Sequence, residues 1–183
     1  MAYSSANSKP IYISRVINAP ADVLFDALTQ PDKLKQWWGP KNFTCPFFKN
    51  EARIGGSYRA CMEAPDGKEY WTTGEYQEFR PGEKLVLTDC FADKDGNILT
   101  AYDYGMSGDW PLECLISLSL AGLQNQTTLS LEHRGIPEEE QNDCIKGWNE
   151  SFVKLNELLS VSSEPRRSYR RDSSTSYYEP SPL

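Results

Sequence analysis

Residues 56–79, GSYRACMEAPDGKEYWTTGEYQEF, decide the fold, because two strand-like runs, 56–63 and 70–79, flank the turn Pro65-Asp66-Gly67. Proline presets one turn dihedral, aspartate bonds back to its own backbone and glycine accepts the left-handed conformation, so the two runs are expected to fold back on each other as a hairpin. The same alternation of strand and turn extends in both directions. Further strands are expected at 43–50, 84–91, 98–106, 112–121 and 127–134, separated by turns at Pro81-Gly82-Glu83, Asp95-Gly96-Asn97 and Gly122 to Gln126. Sequential hairpins need no crossover helices, so the pattern is an antiparallel meander.

Helical segments bracket the meander. Ile11, Ile13 and Ile17 alternate with Tyr12, Ser14 and Val16 in a first strand ending at Asn18-Ala19-Pro20. From Ala21 the spacing turns helical, with Val23, Leu24, Ala27 and Leu28 on one stripe. A second short helix starts at Pro31, where proline suits the first turn, and stops at Gly39-Pro40. Just before that stop stand Trp37 and Trp38, whose rings must find buried surface. A long helix is expected from Pro137 to Ser160, its apolar stripe formed by Ile145, Trp148, Phe152, Leu155 and Leu159. The expected organisation is an N-terminal arm over 1–9, one domain over 10–161 and a disordered Ser/Arg/Tyr-rich tail over 162–183. The fold class is α+β: a helix-grip fold, with a curved antiparallel sheet of six to seven strands wrapped around a long C-terminal helix and two short helices after the first strand.

Composition narrows the function classes. The chain of 183 residues can bury a core without disulfide or metal staples, and its 39% hydrophobic content contains no run long enough to span a membrane. The start, Met1-Ala2-Tyr3-Ser4-Ser5-Ala6-Asn7, lacks the basic and apolar regions of a secretory signal, so a cytoplasmic location is expected. Five cysteines at 45, 61, 90, 114 and 144 form no C-x-x-C pair and read as small buried hydrophobes. With a single histidine they make no closely spaced ligand set, so neither a metal nor an organic cofactor is expected. The net charge of −7 sits on the body, leaving −8 on residues 1–161, which argues against nucleic acid as a partner.

Four runs, INAPADVLFDALTQPDKLKQWWGPKNF, ARIGGSYRACMEAPDGKEY, GEYQEFRPGEKLVLTD and GWNESFVKLNELL, occur in the order that a helix-grip protein requires. Together, over residues 10–160, they resemble the domain family named after the activator of the Hsp 90 ATPase. That resemblance implies the START-like (SRPBCC) superfamily, to which polyketide cyclases and birch-pollen-allergen-like proteins also belong. Its members look like a curved sheet gripping a long helix with an apolar cavity between. Fold does not fix function, and the superfamily spans lipid and hormone carriers, cyclases and aromatases, ligand receptors and chaperone activators.

Aromatic residues are numerous enough to line a pocket of a few hundred cubic ångströms. The candidate wall comprises Trp38, Tyr58, Met62, Trp71, Trp148 and Phe152, with Tyr58 and Met62 chosen because they share parity on one strand. For any one ring, packing in the core is the plainer explanation. His133 follows Thr127, Leu129 and Leu131 at strand spacing and has two readings. It is either a ligand-bonding group or proton shuttle in the cavity, or, the plainer reading, a strand-end histidine at the rim satisfied by water or backbone. Glu63 with Asp66, Glu75 with Glu78, and Glu113 with Glu132 read as solvated faces, the last pair because its neighbours Leu112, Cys114, Leu131 and His133 take the opposite parity. Arg53, Gly55 and Gly56 lead into a strand rather than a helix, which makes a bend and not a phosphate cradle. No catalytic residue is named. In the tail, Arg170-Arg171-Asp172-Ser173 has the shape of a phosphorylation site and Tyr177-Tyr178 are aromatic handles, though a tether is the default.

The leading expectation is binding of a small, largely apolar or aromatic ligand between sheet and C-terminal helix. A cyclase- or aromatase-like enzyme using His133 or a tyrosine is the alternative. A third role, partner and activator of an Hsp 90-type chaperone, ranks lower, because the chaperone activators carry a separate domain ahead of the helix-grip one and only ten residues precede Ile11 here. An open sheet edge or an exposed Trp110 leaves a homodimer open.

Overall fold

The computed structural model describes residues 8–106 and 108–162. Seven antiparallel strands form one sheet in the order β1-β7-β6-β5-β4-β3-β2, with β1 at Ile11–Ile17, β2 at Thr44–Asn50, β3 at Ser57–Glu63, β4 at Glu69–Arg80, β5 at Lys84–Ala92, β6 at Cys114–Leu123 and β7 at Gln126–Arg134. Helices α1 (Ala21–Thr29) and α2 (Pro31–Trp37) connect β1 to β2, and α3 (Gln141–Ser162) closes the fold. Because the hairpins run in sequence, β2 through β7 lie side by side, and β1 pairs with β7 to complete the sheet.

The expected tail over 162–183 lies outside the described residues apart from the helical end at Ser162, as do residues 1–7 of the arm. One expected strand is absent. Residues 98–106 contribute a single bridge, Ile98 to Ala92, and then turn into a 3-10 helix at Ala101–Tyr104. The cause is local: Thr100 and Asp103 exchange side-chain and backbone hydrogen bonds in a reciprocal cap, which draws the backbone out of the ladder.

The core runs along the inner face of the sheet, where Ile11, Ile13 and Ile17 of β1 and Ile116, Leu118 and Leu120 of β6 are buried. Phe152, Leu155 and Leu159 of α3 are buried, whereas no residue of its first turns, 141–150, is. Trp37 is completely buried, donates Nε1–H to the Ala27 carbonyl at 2.9 Å, and stands 6.5 Å from Phe152 ring to ring. Trp38 is 9% exposed and meets Phe48 and Trp148 edge-on at 5.5 and 5.7 Å. Lys154 fastens α3 to the chain after α2, its ammonium donating to the Pro40 and Phe43 carbonyls at 3.2 and 3.3 Å. With its C-terminal half seated and its N-terminal half raised, α3 leaves a space over the inner face of β3 to β7.

Candidate functional site

That space is a cavity of about 390 Å³. Met62 of β3, Tyr70 and Thr72 of β4, Asp89 and Phe91 of β5, and Cys114 and Ile116 of β6 form its sheet side. Cys144, Gly147, Trp148 and Ser151 of α3 form the opposite side. Trp38 to Pro40 and Phe43, together with Met106 and Trp110 to Leu112 from the β5–β6 connection, complete the lining. Tyr104 anchors this connection: its hydroxyl accepts from the Trp71 backbone N–H at 3.0 Å and donates to the Ala92 carbonyl at 2.6 Å. Trp110 packs edge-on against Phe91 at 5.4 Å and is half-buried at the cavity, not exposed as expected.

Strand register decides which of the anticipated wall residues reach this space. Trp38, Met62, His133 and Trp148 line it. Tyr58 and Phe152 are fully buried behind it, Tyr58 donating its hydroxyl to Asp89 Oδ1 at 2.6 Å and Phe152 packing on Trp148 at 5.5 Å. Trp71 is not in the wall. It pairs with Cys61, whereas Met62 pairs with Tyr70, so Trp71 takes the convex face beside Phe47 and Arg59 and donates Nε1–H to Glu69 at 2.8 Å. Glu132 also lies on the face away from the cavity, opposite Ser117 rather than Glu113 and ion-paired with Arg134.

His133 is not at the rim. It is 5% exposed, and its Nδ1 accepts the Trp148 indole N–H at 3.1 Å, with the Cys144 thiol 3.7 Å away. An indole nitrogen only donates, so Nδ1 carries the lone pair and the neutral ring holds its proton on Nε2. That Nε2–H is buried with no hydrogen-bond partner among the described residues. Burial pushes the imidazole down to about 4, and pushes the Cys144 thiol up to about 12, so the pair is neutral and lacks the thiolate a nucleophile requires.

This histidine makes stability pH-dependent. An unfolded imidazole takes a proton near pH 6.5 and the folded one only near 4, so acidification between those values favours the unfolded chain. His133→Gln is expected to reduce the loss of stability across this window by up to about 3 kcal/mol. Denaturant titrations of both proteins at several pH values check it, and parallel curves would mean that the folded ring protonates normally. Asp89, held up by burial, contributes with the opposite sign in both proteins and cancels in the comparison.

Sequence reasoning missed several cavity residues, among them Tyr70, Phe91 and Trp110, and the charged one is Asp89. Leu85, Leu87, Asp89 and Phe91 share one parity on β5, and the first two are core residues, so a carboxylate on this stripe was the available signal. Among the described residues no group of histidine, cysteine and carboxylate side chains is arranged to hold a metal ion, and no helix is long and apolar enough to cross a membrane.

A curved antiparallel sheet closed by a long C-terminal helix, with a mostly apolar cavity between them, defines a helix-grip protein. The chain belongs to the family described as Activator of Hsp90 ATPase homolog 1-like protein, whose model matches residues 18–160. Among solved structures it is similar to a protein from Chromobacterium violaceum, with 30% identity, 82% of this chain and 96% of that chain covered, and a TM-score of 0.69. An AHSA1 protein from Silicibacter pomeroyi, at 21% identity, covers 84% of this chain and 99% of its own with a TM-score of 0.68, and shares the fold. So does a Staphylococcus epidermidis protein at 23% identity, covering 88% and 96% with a TM-score of 0.68. No curated protein matches the chain.

Proposed function

We propose that the protein binds a small, largely apolar ligand in the cavity between the sheet and α3. The observation that carries this reading is a largely apolar space of about 390 Å³, partly open to solvent, beside the buried core. Protein interiors fill to the density of organic crystals, and apolar walls left facing water gain when an apolar body covers them. Trp38, Trp110 and Trp148 supply broad apolar surface to it, while His133 and Asp89 supply the few polar groups that orient a ligand. Gly39, at φ +104° beside Met62, lets the chain leave Trp38 across the cavity end without a side chain filling it. The cytoplasm is the compartment we propose for this activity, in keeping with the composition of the chain.

Native mass spectrometry of the purified protein, set against the same sample denatured, tests the reading. A reproducible mass difference that vanishes on denaturation is expected. If the mass is bare and apolar compounds added in excess leave the melting temperature unmoved, the reading fails, since a ligand bound only by the folded state must raise stability with its concentration.

A further inference from the structure

The charges in the cavity wall are all of one sign. Its carboxyl side chains are Asp89, Glu140 and Asp143, and among the described residues the wall contains no lysine or arginine. Asp89 stands apart from the other two because it projects from the middle of the sheet and not from the start of α3. One of its oxygens receives the Tyr58 hydroxyl at 2.6 Å, while no hydrogen bond within the described residues reaches the other, Oδ2. The same wall holds five aromatic rings, Tyr70 and Phe91 on the sheet side with Trp38, Trp110 and Trp148.

We propose that the ligand is an apolar amine, its protonated nitrogen held against Asp89 Oδ2 and its hydrocarbon body laid among these rings. A carboxylate in an apolar space is costly to desolvate unless an opposite charge accompanies it, and aromatic faces attract cations further. Burial alone raises the proton affinity of Asp89, and a cation at Oδ2 would reverse that effect. An anionic amphiphile of the same shape would meet Asp89, Glu140 and Asp143 with like charge. His133 adds a second point of recognition: its buried Nε2–H, unpartnered among the described residues, matches an oxygen on the same ligand. The proposal rests on the reading of the cavity as a binding site.

The test uses three probes with one apolar body, naphthylmethylamine, methylnaphthalene and naphthoate, titrated into the full chain at neutral pH by calorimetry. Tryptophan fluorescence supplies a second readout, because Trp38 and Trp148 lie in the wall. The amine is expected to bind about tenfold or more tighter than the hydrocarbon, and naphthoate more weakly than either. In Asp89→Asn, which keeps an acceptor for Tyr58, the preference for the amine over methylnaphthalene is expected to disappear. If the amine and naphthoate bind the unaltered chain equally, or if Asp89→Asn keeps the preference, the amine proposal is overturned and the cavity reading stands. If none of the three binds, both fall. The comparison on the unaltered chain decides the matter even if the variant does not fold.

Discussion

Trp37→Ala is expected to lower the unfolding free energy by about 4 kcal/mol, the range for removing a fully buried tryptophan. The ring sits where three elements converge. It is carried on α2, its Nε1–H satisfies the Ala27 carbonyl of α1, and its faces meet Trp38 at 5.4 Å and Phe152 of α3 at 6.5 Å. Truncation opens a cavity the size of an indole and leaves neighbouring rings without contacts on one side, which rigid secondary structure cannot close by relaxing. At about 3 °C per kcal/mol for a domain of this size, the melting temperature should fall by about 12 °C. Trp71→Ala, on the convex face, should cost markedly less. Denaturant melts of the two variants side by side decide it, and equal losses would mean that α2 is not held by this ring.

Gly74→Ala is expected to cost at least about 4 kcal/mol, at the upper end of what overpacking does. A Cβ on Gly74 would lie 1.9 Å from the Thr88 carbonyl oxygen of β5 and 2.7 Å from the Tyr58 ring. Neither neighbour can retreat. Thr88 belongs to a central strand, and Tyr58 is 1% exposed with its hydroxyl bonded to Asp89. Parting β4 from β5 at this point would also shift Asp89 and so disturb the cavity floor. The prediction fails if Gly74→Ala melts within about 1 kcal/mol of the unaltered chain.

Much of this architecture is legible in local patterns. The hairpin around Pro65-Asp66-Gly67 forms as its turn residues require, β3 pairing with β4 from Ser57↔Glu75 to Glu63↔Glu69. The α3 stripe is legible too, because a period of 3.6 survives whatever the helix packs against, and Phe152, Leu155 and Leu159 are buried as it implies. Residues 98–106 mislead because Ile98 and Thr100 alternate like a strand, while the cap between Thr100 and Asp103 competes successfully for the backbone. The site is harder to read. Tyr58 and Met62 share parity, but which aromatic stands across from them depends on register, and Tyr70, not Trp71, pairs with Met62. Asp89 is hidden for a related reason: it lies within the expected strand 84–91, but which face of that strand meets the cavity is known only once the sheet around it is.

The sequence by itself determined the order and kind of nearly every element, the long terminal helix and its greasy face, and the family to which they add up. Turn chemistry and periodicity are local, and they act over spans short enough to be read without neighbours. Only the tertiary structure decided that α3 seats its C-terminal half and raises its N-terminal half, that Trp148 gives its N–H to His133, and that Asp89 comes to face the same cavity. These are meetings between residues tens of positions apart. Register, strand curvature and the packing of one helix across several strands set them, and no single segment encodes any of the three.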